Sequence, residues 1–190
     1  MTAEQIYALP INKYGWRTMS NRIAVRLGRN VRVHNSVTLG NCVTLGNNVV
    51  LRNNVTLDDD VTLGNYVCLD EGVRLGKGVS LGNNIILGKN VMLGDNVKIG
   101  DGVRIADNTT LLSTPLAVQG TRHLATNVGP GVIQIGCQTH SFEHWTEYVL
   151  QIADDNNYTP EQGLEYQRIV AFIVAFIVAN GIPAMEKVTA

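Results

Sequence analysis

From Leu27 to Thr110 the chain divides into fourteen consecutive six-residue units without an insertion, and so short a repeat leaves few folds open. Typical units read LGNCVT (39–44), LGNYVC (63–68), LGNNII (81–86) and LGDNVK (93–98). The first position is Leu, Ile or Val in all fourteen, and the fifth is Val or Ile in thirteen, with Thr109 the exception. The second is Gly in nine, and the fourth is Asn, Asp or Gly in eleven. Apolar residues two apart, as in Val43-Thr44-Leu45, alternate with the period of a half-buried strand, so Thr44 points outward. Gly and Asn in the intervening positions suit the left-handed backbone of a sharp corner. A six-residue unit cannot bury its own apolar side chains, so the units must wrap into a coil and stack. Composition agrees: 45% apolar residues exclude a disordered chain, and 19 glycines exclude a helical bundle.

These hexads resemble the hexapeptide-repeat family, which implies a mainly β fold: a left-handed parallel β-helix with three hexads per triangular coil. Eighteen residues per coil give between four and five coils over residues 27–110, a prism roughly 20–25 Å tall at ~4.8 Å between strands. Positions eighteen apart then stack on one face. One outward column runs Arg32, Val50, Cys68, Ile86, Arg104; the others are Thr38, Thr56, Arg74, Met92, Thr110 and Thr44, Thr62, Ser80, Lys98. The apolar Val50, Cys68, Ile86 run needs covering, by another subunit or by the C-terminal helix. Family members assemble as trimers about the prism axis, so the resemblance implies a homotrimer through that face. In the corner column His34, Arg52, Asp70, the last two are placed for a solvated ion pair. Asn47, Asn65 and Asn83 stack as a hydrogen-bond ladder. Arg74 and Lys98 interrupt the threonine columns and argue against an ice-binding array.

The flanks divide into an N-terminal cap (1–26, with Tyr14, Trp16 and Ile23), an excursion loop with a returning strand (111–140), and two C-terminal helices (141–190). Pro115 and Pro130 mark the excursion, and Ile133-Gln134-Ile135-Gly136 recovers the strand-plus-Gly pattern of a hexad, as if adding one more strand to the coil. Ser141 caps a first helix with Phe142, Trp145, Val149 and Ile152 on one face. Thr159, Pro160 and Gln162 start a second, which ends near Asn180. Its apolar run Ile169–Ala179 is eleven residues long, short of the ~20 of a membrane span, and reads as a buried or interface helix. The tail (IGCQTHSFEHW, then YTPEQ) resembles the C-terminal extension of uncharacterised hexapeptide proteins of mobile elements and phages, which carries no assigned chemistry.

A net charge of -1 argues against nucleic-acid binding. Three cysteines (Cys42, Cys68, Cys137) imply no disulfide framework, and no apolar leader opens the chain, so a cytoplasmic protein is expected. Cys137, His140 and His144 sit close in sequence, but their spacing fixes no metal geometry, and no metal is expected. The γ-class carbonic anhydrases hold zinc with three coil histidines, whereas this coil has only His34. Resemblance to hexapeptide acyltransferases implies a histidine general base, and acyl-CoA or acyl-carrier protein lying along the coil, with a small hydroxyl or amine as acceptor. His123, in GTRH, is the first candidate base, His140 the second and His34 the third; no permanently bound cofactor is implied. The alternative is a non-catalytic trimeric scaffold or binding protein, since a fold does not fix a function.

Overall fold

A computed structural model describes residues 6, 8, 16–18 and 24–180, which fall into two compact units, one ending at Thr114 and the other beginning at Pro115. The first is the parallel β-helix. Strand β1 (Trp16–Thr18) runs antiparallel to β2 (Ala24–Leu27), and fourteen short strands, β3 to β16, follow from Arg32–Val33 to Thr110–Leu111 at six-residue steps. They build three sheets in which neighbours are parallel and eighteen residues apart, for example Thr44 against Thr62 and Cys68 against Ile86. Each face carries five parallel strands, and so the coil makes about five turns. The extra strand is β2, which pairs Val25 with Val43 and buries Val25 completely. The coil therefore begins at Ala24, in a degenerate hexad that the 1–26 boundary had assigned to the cap. Tyr14 and Ile23 of the expected cap lie outside the described residues, and only the backbone of Trp16 is described; that backbone, in β1, covers the edge of the first sheet.

Inside the coil the first and fifth hexad positions stack as Leu and Val columns, with Val49, Val67, Leu69 and Leu87 fully buried. The two glycine-rich positions serve different ends. At the fourth, thirteen of fourteen residues have φ between 55° and 74°, from Asn30 to Asn108; Ser36 is the exception. Only there does the corner need the left-handed conformation. At the second position the demand is space: a Cβ on Gly46 would stand 2.4 Å from the carbonyl oxygen of Gly64, one coil on. The third position has its own logic. Its amide has no backbone acceptor in the next coil, and an Asn or Asp side chain eighteen residues on supplies one, as in Asn47 N–H to Asn65 Oδ1 (2.8 Å) and Lys77 N–H to Asp95 Oδ1 (2.8 Å). The expected asparagine ladder is part of this set, with Asn65 Nδ2 donating to Asn83 Oδ1 at 3.1 Å. Arg52 and Asp70 pair at 3.7 Å as their column implies.

The second unit departs from the expected excursion and returning strand. Residues 117–141 form a four-stranded antiparallel meander of β17 (Ala117–Gln119), β18 (Leu124–Gly129), β19 (Val132–Ile135) and β20 (Gln138–Ser141). Ile133 and Ile135 thus pair with β18 and β20 instead of a coil strand. A hexad-like IQIG is equally a strand ending in a tight turn, and Gly136 at φ 58° makes that turn. Helices α1 (Phe142–Asp155) and α2 (Pro160–Ala179) pack on the sheet, capped by Ser141 and by the reciprocal Thr159–Gln162 box. Ala125, Ile133, Ile135, Trp145, Val149, Tyr166 and Ile173 form the core, and Trp145 Nε1 donates to the Ile133 carbonyl at 2.8 Å. Helix α2 buries Ile169, Val170, Ile173 and Ile177 but exposes Phe172, Phe176 and Val178. Counted from Pro160 it has 20 residues and a mean hydropathy of 1.3, long and apolar enough by composition to cross a bilayer, with 28% of its apolar window buried in the protein.

Candidate functional site

The second unit holds a cavity of about 80 Å³ between sheet and helices. Its floor is apolar, made by Ile135, Trp145, Val149 and Ile152, and its polar wall comprises Arg122, His123, Cys137, Gln138 and Tyr158. His123 stands in the turn joining β17 to β18, a segment the core of α2 holds from below. The buried Tyr166 hydroxyl donates to the His123 carbonyl (2.8 Å) and accepts the amides of His123 and of Arg122 (3.1 Å). Glu165 takes the Thr121 amide (3.0 Å) and hydroxyl. The turn's backbone is therefore fixed, while the His123 imidazole makes no hydrogen bond to the described residues and lies on the cavity wall, above Gly136. A Cβ on Gly136 would come within 3.1 Å of that ring.

Tyr158 is the centre of the polar wall. The His123 ring stands 6.0 Å from it, and the Arg122 guanidinium lies 4.6 Å over its face. Arg122 Nη1 also donates to the carbonyls of Asn157 (2.9 Å) and Asn156 (3.3 Å), which anchors the guanidinium to the turn between the helices. Burial, followed by the neighbouring Tyr166, pushes the Tyr158 phenol above its ordinary range, with Arg122 opposing. At neutral pH it is a hydroxyl donor.

The other two histidines of the sequence reading are placed differently. His140, on β20, lies edge-on to Trp145 and stacks on His144 with ring centroids 4.3 Å apart. Its Nε2 is 3.2 Å from Gln138 Oε1, and burial, then the His144 charge, lower its pKa. His34 is exposed on the coil, its Nδ1 3.0 Å from Ser36 Oγ, in the one hexad whose corner is not left-handed. Cys137 is exposed. Among the described residues no three His, Cys, Asp or Glu side chains gather as a metal would require. On the coil, a wider groove is lined by Glu71, Arg74, Lys89 and Met92. Arg122 and Tyr158 stand within the quoted segments GTRH and YTPEQ, but only their fold neighbours give them a role.

A parallel β-helix of uninterrupted hexads, with an appended α+β unit, is the class of protein that this structure defines. Residues 78–113 match the family described as bacterial transferase hexapeptide (six repeats), and in its coil the chain resembles the hexapeptide-repeat superfamily. No curated protein matches the sequence. Among solved structures, one similar chain is a Bacillus cereus protein described as a candidate acetyltransferase, at 14% identity and a TM-score of 0.24, over 82% of this chain and 91% of that one.

Proposed function

We infer that the protein is an acyltransferase that moves an acyl group from CoA or an acyl-carrier protein to a small hydroxyl or amine, with His123 as general base. The single observation behind this reading is the His123 imidazole, without a hydrogen bond to the described residues, on the wall of a cavity and carried by a backbone that Tyr166 clamps. In the reaction, the acceptor's oxygen or nitrogen attacks the thioester carbonyl while His123 takes its proton. The C–S bond then breaks, and the imidazolium returns the proton to the leaving thiolate. Base assistance of this kind contributes about 10²–10⁴-fold. His140 is the weaker candidate, since its Nε2 already faces Gln138 and its pKa is lowered.

The test pairs binding with turnover. Saturating acetyl-CoA should raise the thermal midpoint, corresponding to about 2.7 kcal/mol at a hundredfold excess over Kd. His123→Ala should keep that shift and lose acyl transfer, because the base acts in the transition state. An unmoved midpoint, with no transfer to a panel of amines and alcohols, would leave a non-catalytic scaffold. Full activity in His123→Ala would move the base to His140.

A further inference from the structure

The cavity's chemistry is lopsided in a way that specifies its ligand, and this inference rests on the acyl-acceptor reading above while naming the class of acceptor. Its floor is wholly apolar, and its only permanently charged wall residue is Arg122. Among the described residues no carboxylate pairs with Arg122. Its guanidinium is nonetheless held: the Tyr158 ring lies beneath it, and two backbone carbonyls occupy Nη1. Nε and Nη2 make no hydrogen bond to the described residues. A planar fork fixed in place with free donors is matched by a carboxylate, which accepts two parallel N–H bonds.

Size narrows the class further. A cavity of about 80 Å³ is well below the roughly 300–1,000 Å³ of drug-sized ligand sites. It suits a small molecule, a carboxylate with a short carbon chain over the apolar floor. Arg122 and His123 flank the same Tyr158 ring, at 4.6 Å and 6.0 Å from its centroid, so a molecule lying on that ring meets both. Tyr158 lines the same cavity and brings a hydroxyl donor to it.

We propose that the acceptor is a small hydroxy or amino acid whose carboxylate is bound by Arg122 and whose hydroxyl or amine faces His123. Isothermal titration of the full chain at pH 7.5, without an acyl donor, with lactate, glycerate and serine tests this directly. At least one of the three acids should bind, and lactamide should bind about tenfold or more weakly than lactate, as expected for loss of a charge-assisted pair. Arg122→Met, which keeps the stem over Tyr158, should lose affinity for the acids to a similar extent; circular dichroism and the thermal midpoint report whether it is folded. The comparison of acid with amide uses the unaltered protein and stands without the variant. Equal binding of lactate and lactamide, no heat from any acid, or undiminished affinity in folded Arg122→Met would each overturn the proposal. Failure of the acyltransferase reading looks different: acids bind and Arg122→Met abolishes binding, yet acetyl-CoA acylates none of them. Acyl transfer that is equally fast to neutral alcohols and to acids would instead sink this inference and leave acyl transfer standing.

Discussion

The Tyr166 hydroxyl closes a ring of hydrogen bonds on His123, accepting its backbone N–H and donating to its carbonyl oxygen. It also takes the Arg122 amide, and the side chain is 1% exposed. One phenol on α2 therefore sets the backbone of both residues proposed to meet substrate. Tyr166→Phe leaves the two amides and one carbonyl without that partner and should destabilise the protein by about 2 kcal/mol or more in urea unfolding. Turnover should fall further than donor affinity, because the imidazole loses its fixed mount. A variant with an unchanged unfolding midpoint would show that the clamp does not hold the turn.

The two glycine columns of the coil predict opposite tolerances. A methyl on Gly46 would press against the Gly64 backbone at 2.4–2.6 Å, and neither coil can yield without breaking rungs on both sides. Gly46→Ala should cost several kcal/mol, roughly 3 or more. Gly102 sits at φ 74° with open space around its would-be Cβ. Gly102→Asn should cost no more than about 1 kcal/mol, since Asn occupies this backbone region readily. Equal losses in the two variants would contradict the separation of steric and conformational roles.

Tyr66 is the conspicuous misfit among the corners, a bulky residue at φ 58° with its side chain 61% exposed. Eight of the fourteen fourth positions hold Asn or Asp where Tyr66 and Cys42 do not; Asn48 and Asn84 flank Tyr66 in its own column. Tyr66→Asn should stabilise the coil by about 0.5–1 kcal/mol, and calorimetry should show a raised midpoint.

The stacked His140–His144 pair sets a pH dependence. Burial first, and the His144 charge second, hold the His140 pKa below its unfolded value, so the unfolded chain binds more protons between the two pKa values. Stability should accordingly be full above about pH 6.5 and fall as the pH drops through the window beneath it. The groups facing the pair are the Gln138 amide, the Trp145 edge and the Tyr148 ring, none of them a carboxylate that would offset the charge. His144→Asn should make the decline smaller and end it at a higher pH without abolishing it, because the burial contribution remains. An identical pH profile in the variant would mean that the pair is not coupled.

The coil was legible in the sequence because each hexad position answers one local demand, repeated fourteen times. Repetition averages out exceptions such as Tyr66 or Ser36. Position three was legible only in the stack of Asn47, Asn65 and Asn83; that its Asn and Asp side chains satisfy backbone amides eighteen residues away shows no pattern within one unit. The helices were legible through Ser141 and Thr159, whose caps act within three residues. The meander was not. Ile133-Gln134-Ile135 carries the same alternation in a coil strand and in an antiparallel one, and only the partner strand distinguishes them. The cavity was partly visible through His123, but Arg122 and Tyr158 converge by way of the turn at Asn156 and Asn157, a contact across more than thirty residues.

The coil's remaining exposed apolar run points to self-association. Val50 and Cys68 are half-buried in the single chain, and Ile86 is 36% exposed between them and Arg104 along one sheet. Short aliphatic side chains in line on a flat sheet face leave apolar area in water that a second copy would remove, at about 25 cal/mol per Å². We expect a homotrimer with this face inside its interfaces. Ile86→Lys places a charge at the centre of the run while leaving the buried Leu87 and Ile85 columns untouched. A buried unpaired ammonium costs several kcal/mol at each interface, so sedimentation equilibrium should show the mass falling from trimer towards monomer. The thermal midpoint should fall with it and become concentration-dependent. A folded Ile86→Lys protein that keeps the wild-type mass would place the interface elsewhere.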